Sequence, residues 1–367
     1  MNKKKKYIDY KSGIHNDTYY HVEDDLNMFP DAWCYVIWSA RGKGKTYSAL
    51  KYAYENDIPI IYMKRTIDDV NLICAATENF DPSPYVPINR DTGYNIKPKL
   101  IREGIGAFYK YEDGEPSGLP VAYCLAESAI KKFKGFDFSR CKWIVFDEFI
   151  PQIGERISKK EGQLLLDLYM TVQRDRMKRG FPELKLILFA NAEEISTPIT
   201  NELEIVDIMA DLNASGQTHY EDEERHIMLH HITNEEFPMI EEEKGGIFAA
   251  MKNTAWGQKS FYGSFANNDF SNVNKVNLKR YKGYIHISYR LKNYYIYYNE
   301  DSGHYYMCKS RCRCEFDYNL DKENDQKRFF IEHQADLWNA CTYNKMTFQK
   351  YSMYDLIMNY KKFFNVY

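Results

Sequence analysis

The stretch that decides the fold is residues 33–46, Trp-Cys-Tyr-Val-Ile-Trp-Ser-Ala-Arg-Gly-Lys-Gly-Lys-Thr. Its apolar first half predicts a strand, and its second half predicts a loop of small residues that closes with Gly-Lys-Thr. Apolar residues at Tyr47, Leu50 and Tyr54 then predict a helix. A strand, a glycine loop and a helix in this order form a phosphate-binding loop, because backbone N–H groups and the positive helix N-terminus converge on an anion.

The residue types of this loop suit a nucleoside triphosphate with Mg²⁺. Glycines at 42 and 44 let the backbone approach an anion closely, Lys45 would reach the β- and γ-phosphates, and the Thr46 hydroxyl would hold Mg²⁺. The first position of the pattern is Ser39 rather than glycine, which would cost about 1 kcal/mol if that position required a positive φ. The alternative is a basic turn before an ordinary surface helix. The expected nucleotide-binding residues are Ser39, Ala40, Arg41, Gly42, Lys43, Gly44, Lys45 and Thr46.

A second motif lies at residues 142–149, Lys-Trp-Ile-Val-Phe-Asp-Glu-Phe, where an apolar strand ends in two acids. A carboxylate at the end of a strand beside a phosphate-binding loop holds Mg²⁺, so Asp147 is expected on the metal. Glu148 is expected to act as the general base that polarises the attacking water. The alternative is a buried strand with a polar end. Together the two motifs predict hydrolysis of ATP or GTP.

Further apolar runs at 58–63 and 184–191 predict two more strands of the same sheet. The second run ends at Asn191, which is expected near the γ-phosphate as a sensor; otherwise it is a common strand-terminating residue. Strands that alternate with helices predict an α/β fold with a parallel central sheet and the ligand at the carboxyl ends of its strands.

Length and composition narrow the class of protein. The 367 residues favour two domains, and an apolar content of 44% is ample for their cores. The net charge of −3 excludes a global basic field, so any contact with nucleic acid must come from local patches. Eight scattered cysteines suit reduced thiols. The chain has no run of 18 apolar residues, so no transmembrane helix and no membrane partner are expected.

Other patterns in the first half predict a β-hairpin from 105–111 and 120–126, an exposed loop over 79–100, and a helix over 161–179. Residues 197–227 are polar and acidic, which is typical of a small linker module.

Tyrosine-rich alternation beyond residue 228 predicts a three-stranded meander at 281–290, 293–300 and 304–311, followed by helices over about 323–364. The predicted domains are therefore 1–197, a linker module 198–227, and 228–367.

Three segments of the first 200 residues resemble a known family. They are residues 39–46, Ile-Tyr-Met-Lys-Arg-Thr at 61–66, and the segment 134–149 that contains the acid pair. The Arg-rich end of the 161–179 helix agrees as well. The chain resembles phage DNA-packaging ATPases, above all the encapsidation ATPase of small short-tailed phages with protein-primed genomes.

The resemblance implies a ring-forming P-loop ATPase of the ASCE type. Its subunits would form a homo-pentamer at the portal vertex and drive double-stranded viral DNA into a procapsid in the host cell cytoplasm. A structural packaging RNA would be a further partner. Neighbouring subunits would supply an arginine to each site, and Arg174 or Arg176 matches that segment; the alternative is positive charge that complements the helix C-terminus.

The resemblance also implies an RNase H-like C-terminal domain that has lost its nuclease. A two-metal nuclease needs several carboxylates on its strands, and neither 281–290 nor 294–298 contains one. We therefore expect no DNA cleavage. The basic residues interleaved with tyrosine suit phosphate contacts or a solvated sheet face: Lys275, Lys279, Arg280, Lys282, Arg290, Lys292, Lys309, Arg311 and Arg313.

The leading hypothesis is an ATP-driven DNA-packaging motor. Two alternatives remain from the sequence. One is another ring ATPase, either a helicase or a DNA-transfer motor. The other is a nucleotide-binding assembly adaptor with slow hydrolysis, although an adaptor has no need for the base Glu148.

Overall fold

The computed structural model describes residues 7–8, 19–77, 80–133, 136–152, 154–155, 157–174, 176–239 and 244–366. The chain forms two compact units. The first comprises residues 1–203 and 211–267, and the second comprises residues 204–210 and 268–367.

The first unit contains a ten-stranded sheet in the order β1-β9-β10-β2-β8-β7-β3-β6-β5-β4. Strands β10, β2, β8, β7, β3 and β6 run parallel, and antiparallel strands complete both edges. The strands are β1 (Tyr7–Ile8), β2 (Cys34–Ser39), β3 (Ile60–Lys64), β4 (Ile96–Arg102), β5 (Ile105–Glu112), β6 (Glu115–Ala126), β7 (Trp143–Asp147), β8 (Lys185–Asn191), β9 (His219–Asp222) and β10 (Ile227–Ile232).

The central strands are buried on both faces. Every residue of β2 and β10 is buried, as are the apolar residues of β7 and β8. Parallel strands that are covered on both sides read as continuous apolar runs rather than alternating ones, which is why residues 33–38 and 143–146 predicted strands so clearly.

Short helices connect and cover these strands. The helix after β2, α2, has a left-handed glycine, Gly44, as its N-cap, and a capping box of Thr66 and Asp69 fixes the start of α3. The helices are α1 (Val22–Met28), α2 (Lys45–Glu55), α3 (Ile67–Ile73), α4 (Val86–Thr92), α5 (Glu161–Gln173), α6 (Pro198–Glu202), α7 (Val206–Ser215), α8 (Gly246–Met251) and α9 (Ala255–Tyr262).

The second unit is an α+β unit around a five-stranded sheet of order β14-β11-β12-β13-β15. Strands β11 to β13 form an antiparallel meander, whereas β14 is parallel to β11 and β15 is parallel to β13. Helices α10 to α13 accompany the sheet, whose core includes Ile285, Ile296 and Met307. The elements are β11 (Lys282–Tyr289), β12 (Lys292–Asn299), β13 (His304–Cys308), β14 (Phe316–Asn319), β15 (Met346–Phe348), α10 (Glu323–Phe329), α11 (Ala335–Thr342), α12 (Tyr351–Met358) and α13 (Tyr360–Phe363).

The structure confirms the mixed α/β architecture with a parallel-rich sheet, the β5–β6 hairpin and the tyrosine-rich meander. Two local predictions were wrong. Residues 79–100 contain α4 and the start of β4 rather than one exposed loop. Helix α5 ends at Gln173 rather than near 179, because the chain turns out of the helix at Arg174 and resumes only as a 3₁₀ turn, Met177–Arg179.

The predicted boundaries at 197 and 227 differ from those of the compact units. Strands β9 and β10 belong to the first sheet, where β10 pairs in parallel with β2, so residues 219–232 are part of the first unit. The acidic residues of 197–227 lie near the end of α6, on α7, at the end of β9 and in the turn before β10, so the segment resembled a linker although it contains regular elements. The first unit ends near residue 267.

None of the helices in the described part of the chain is both long and apolar enough to cross a membrane.

The close packing of Gly263 against the end of β2 can be tested by substitution. A Cβ on Gly263 would lie 2.5 Å from the Ala40 backbone nitrogen, whereas one on Gly216 would meet nothing within 4 Å. Both glycines have similar positive φ values, +65° and +69°. Gly216→Ala should therefore lose about 1 kcal/mol of unfolding free energy from backbone strain alone, and Gly263→Ala should lose roughly 1–3 kcal/mol more from overpacking. Urea denaturation of both variants measures the difference; equal losses would contradict the packing.

Candidate nucleotide-binding site

The 39–46 loop connects β2 to α2, in the predicted order of strand, glycine loop and helix. Gly42 and Gly44 both have φ of 79°, a left-handed conformation that glycine adopts without a steric penalty. Ser39 is not among the residues with positive φ, so serine at the first position costs no strain. Its hydroxyl instead accepts a hydrogen bond from the Lys45 ammonium group.

Lys45 is the buried cation of the site. Its Nζ also lies 3.4 Å from the Ala40 carbonyl oxygen. Burial lowers the pKa of Lys45 to about 8, although Asp147 and Glu148 act in the opposite direction. An anionic phosphate beside Lys45 would favour the charged form of its ammonium group. Binding of such a ligand would therefore stabilise the charged side chain in its buried position.

Contacts from other segments of the chain hold the 39–46 loop in place. The Lys43 side chain is buried and donates a hydrogen bond to the Phe237 carbonyl oxygen at 2.6 Å. The Tyr20 backbone N–H donates to the Lys43 carbonyl at 3.0 Å, and the Tyr19 ring lies against Gly44. Lys43 therefore belongs to the site through its backbone, while its side chain fixes the loop to the segment after β10.

The two predicted motifs meet at Thr46 and Asp147. The Thr46 hydroxyl donates a hydrogen bond to Asp147 Oδ1 at 2.9 Å. This contact spans the sheet, because β8 lies between β2, which carries the loop, and β7, which carries the acids. The residues that sequence reasoning assigned to one metal ion are therefore adjacent.

Lys64 and Tyr62 complete the surroundings of the acid pair. Tyr62 donates its hydroxyl to Asp147 Oδ2 at 2.8 Å. Lys64 Nζ bridges the two acids, at 3.1 Å from Asp147 Oδ2 and 2.9 Å from Glu148 Oε2. Burial alone would lower the pKa of Lys64, but these carboxylates outweigh it and the pKa is raised.

Glu148 adopts an uncommon backbone conformation with φ of 58°. Its carboxylate is partly exposed, with 47% of the side chain accessible to solvent. The Arg65 guanidinium holds the backbone here, donating to the Glu148 carbonyl at 3.1 Å and the Phe149 carbonyl at 2.7 Å. Strained residues that their surroundings fix in this way cluster at functional sites.

A cavity of about 280 Å³ lies between the loop and the carboxyl ends of β7 and β8. Asn191, the last residue of β8, is on its wall. The lining residues are Arg41, Gly42, Lys43, Gly44, Lys45, Thr46, Tyr47, Asp147, Glu148, Ala190 and Asn191. Every predicted site residue from 41 to 46, both acids and Asn191 thus share one cavity.

Just beyond Asn191, Glu193 is a buried acid that the sequence did not single out. Its carboxylate lies 2.7 Å from Lys259 Nζ and 3.8 Å from Arg41 Nη2. Lys259 belongs to α9, so this ion pair joins the end of β8 to the segment that packs on the loop.

The structure separates the two arginines that the sequence left equivalent. Arg176 is buried, with only 2% of its surface exposed. Its Nη1 donates to the carbonyl oxygens of Ser139 and Cys141 at 2.6 and 2.7 Å, and its Nε donates to the Pro182 carbonyl at 3.2 Å. Arg174 is exposed at the end of α5. Within one chain, Arg176 is therefore engaged in holding two loops together.

Sequence reasoning missed Lys64 and Arg65, although both lie in the segment 61–66 that carried the family resemblance. The available signal was two basic residues at the carboxyl end of an apolar strand. Their role depends on β3 being the neighbour of β7, and strand order is not visible in a local pattern.

Comparison with known proteins gives two solved structures that match nearly the whole chain. The viral genome packaging motor assembly of bacteriophage Phi-29 matches at 16% identity and a TM-score of 0.63, covering 95% of this chain and 100% of that chain. The Phi-28 gp11 DNA packaging motor matches at 17% identity and a TM-score of 0.60, covering 95% of this chain and 97% of that chain. At these identities the likeness shows a shared fold. No protein-family model and no curated protein matches the sequence.

The structural role of Arg176 predicts a large loss of stability on truncation. Arg176→Ala leaves three carbonyl oxygens without their donor, so the free energy of unfolding should fall by roughly 2–4 kcal/mol. The exposed neighbour Arg179 is the control, and Arg179→Ala should change stability by about 0.5 kcal/mol or less. Urea or thermal denaturation measures both. Equal stability of the two variants would show that Arg176 is not a structural residue.

Proposed function

We propose that this chain is an ATP-hydrolysing motor that translocates double-stranded viral DNA through a portal into a procapsid. The observation that carries the proposal is the contact of Thr46 with Asp147, which joins a phosphate-binding loop to a metal-binding acid. The fold that the chain shares with two packaging motors over 95% of its length supports the assignment to DNA packaging.

We assign the first unit to the P-loop ATPases of the ASCE type, named for an additional strand and a catalytic glutamate. Strand β8 lies between β2 and β7 in the sheet, which supplies the additional strand. Glu148, directly after the metal-side acid, supplies the glutamate.

The residues at the loop fit Mg²⁺ bound with ATP. A hydroxyl, Thr46 Oγ1, and a carboxylate, Asp147 Oδ1, lie 2.9 Å apart, and oxygen ligands of this kind are those that Mg²⁺ takes. When bound, the ion would neutralise charge on the β- and γ-phosphate oxygens. The loop N–H groups and Lys45 would hold the phosphates, and Lys64 would release the carboxylates that it now bridges.

Glu148 is the proposed general base. Its carboxylate is at the cavity wall and accessible to water, so it can accept a proton from a water that attacks the γ-phosphate. Arg65 keeps the peptide of Glu148 in place, which makes Arg65 a positioning residue for the base. Asn191, at the end of the neighbouring strand β8 and on the wall of the same cavity, is proposed to sense the γ-phosphate through its amide.

Arg174 is the proposed arginine finger. Its side chain is exposed at the end of α5, where it can act on the site of a neighbouring subunit, whereas Arg176 is buried against the carbonyl oxygens of residues 139, 141 and 182. A finger supplied in trans can raise the hydrolysis rate about 10³–10⁵-fold. Hydrolysis in one subunit would then depend on the conformation of the neighbouring subunit that supplies the arginine. This role requires a ring, which we propose to be a homo-pentamer at the portal vertex in the host cytoplasm.

The second unit is proposed to be RNase H-like and without nuclease activity. Its meander with a fourth strand parallel to the first supports the fold assignment. One acid, Asp317, joins this sheet through β14, where it lies 2.6 Å from His286; among the described residues of this unit, no three potential metal ligands converge. Its exposed basic residues are proposed to contact nucleic acid, including a structural packaging RNA.

The role of Glu148 can be tested by removing its charge. Glu148→Gln should bind ATP with Mg²⁺ as the wild type does, while ATP turnover falls about 10²–10⁴-fold because the base is lost. Glu115→Gln, at the exposed first residue of β6 in the same unit, is the control and should hydrolyse normally. Nucleotide binding by fluorescence and phosphate release with and without duplex DNA give both quantities. Near-normal ATP turnover in Glu148→Gln would contradict the assignment. A wild-type turnover rate that duplex DNA does not change would favour an assembly adaptor.

The proposed trans action of Arg174 predicts complementation. Rings of Arg174→Ala alone and of Lys45→Ala alone should each hydrolyse little ATP, since one lacks the finger and the other lacks the phosphate-binding lysine. Mixed rings should regain activity, because an intact loop in an Arg174→Ala subunit can meet the arginine of a Lys45→Ala neighbour. Titration of one variant into the other measures the gain. A mixture no more active than its components would refute a finger in trans at this residue.

A further inference from the structure

A buried cluster in the first unit lies outside the nucleotide site. It consists of Asp25 on α1, His219 on β9 and His230 on β10, and all three are at least 96% buried. One ligand atom from each residue lies within 4.8 Å of the other two. The two histidines are partners on the paired strands β9 and β10, and Asp25 is 205 residues away from His230 in sequence, so the fold brings the carboxylate to the imidazoles.

Each imidazole directs one nitrogen at the same carboxylate. His230 Nδ1 lies 2.9 Å from Asp25 Oδ2, and His219 Nε2 lies 3.3 Å from Asp25 Oδ1. Ligand atoms around a tetrahedral zinc ion, with bonds of about 2.0–2.2 Å, are separated by roughly 3.3–3.5 Å. Small side-chain movements would therefore bring the three atoms to the spacing of zinc ligands.

The second nitrogen of each ring has its own oxygen partner. His230 Nε2 lies 3.3 Å from Glu236 Oε1, and His219 Nδ1 lies 2.9 Å from Thr218 Oγ1. Histidines that bind metal almost always donate their other N–H to a carboxylate or a similar acceptor, which fixes the tautomer. The oxygen atoms of Glu236 and Thr218 match this arrangement. They occupy one nitrogen of each ring and leave the other, His230 Nδ1 or His219 Nε2, facing Asp25 as a possible metal ligand.

We propose that Asp25, His219 and His230 supply three ligands to a divalent transition metal, zinc by their ligand chemistry. Imidazole nitrogens with a carboxylate suit zinc and exclude magnesium and calcium, which take oxygen ligands. The charge also fits. Asp25 and Glu236 are two carboxylates in a buried site, and one dication balances both while the imidazoles remain neutral. Two charged imidazoles would repel each other, since the rings stack with centroids 3.8 Å apart.

A metal at this site would stabilise the 39–46 loop through the segments that contact Lys43. It fastens α1 to β9 and β10, and Glu236 is followed directly by Phe237, whose carbonyl accepts the Lys43 ammonium group. The Tyr20 hydroxyl also donates to Asp25 Oδ2 at 2.8 Å, while the Tyr20 N–H holds the Lys43 carbonyl. The metal would therefore brace the segments that hold Lys43.

The test is the metal content of the full chain, purified without a metal-binding tag. Elemental analysis by mass spectrometry should find about one zinc per chain, and a strong chelator should remove it and lower the melting temperature. Replacement by Co²⁺ should give visible d–d absorption without a thiolate charge-transfer band. That spectrum distinguishes this cluster from Cys312 and Cys314, whose sulfurs lie 3.4 Å apart.

Variants locate the metal. The double variant His219→Asn with His230→Asn should lose the zinc, whereas His231→Asn should retain it. His231 is a matched control: it is buried on the same strand, but it stacks on Trp38, and its Nε2 lies 3.1 Å from the Gly263 carbonyl. Three results would each overturn the proposal: folded wild type that takes up no zinc or cobalt, a thiolate band in the cobalt form, or full metal content in the double variant. If the double variant does not fold, the wild-type content and cobalt spectrum still decide.

Discussion

The hydrogen bond between Thr46 and Asp147 is the contact on which the site depends. It joins the first turn of α2 to the end of β7 across the intervening strand β8. The contact has two requirements. The glycine loop must carry the chain over the carboxyl ends of the strands, and β7 must end at the same height in the sheet as β2. The parallel registers of β2 with β8 and of β8 with β7 meet that second condition. The ligand that we propose, a triphosphate with its metal ion, would lie where the two ends meet.

The charges around this contact are balanced within the protein. Lys64 bridges Asp147 and Glu148, and Lys45 lies against neutral oxygens with a pKa that burial lowers to about 8. Isolated charges at such a place would be costly to bury. In the proposed complex, phosphate and metal would replace these internal partners, so the charged side chains of the site would keep partners when the ligand binds.

Local sequence patterns predicted the loop, the acid pair and the central strands, because each depends on neighbours in the chain. Gly42 and Gly44 lie in the loop between β2 and α2, and Asn191 lines the same cavity as Thr46 and Asp147. Properties set by distant residues were not predictable in this way. Arg174 and Arg176 looked equivalent until the carbonyls of residues 139, 141 and 182 were seen to surround one of them. The end of the first unit was placed too early, because nothing local shows that β10 pairs with β2.

The most direct test of the account is a crystal structure with a non-hydrolysable ATP analogue and Mn²⁺ in place of Mg²⁺, with anomalous scattering used to locate the metal. The account predicts one Mn²⁺ peak within ligand distance of the Thr46 hydroxyl or the Asp147 carboxylate, with the triphosphate wrapped by the backbone of residues 41–46. A triphosphate bound elsewhere, or a Mn²⁺ ion remote from both side chains, would contradict it.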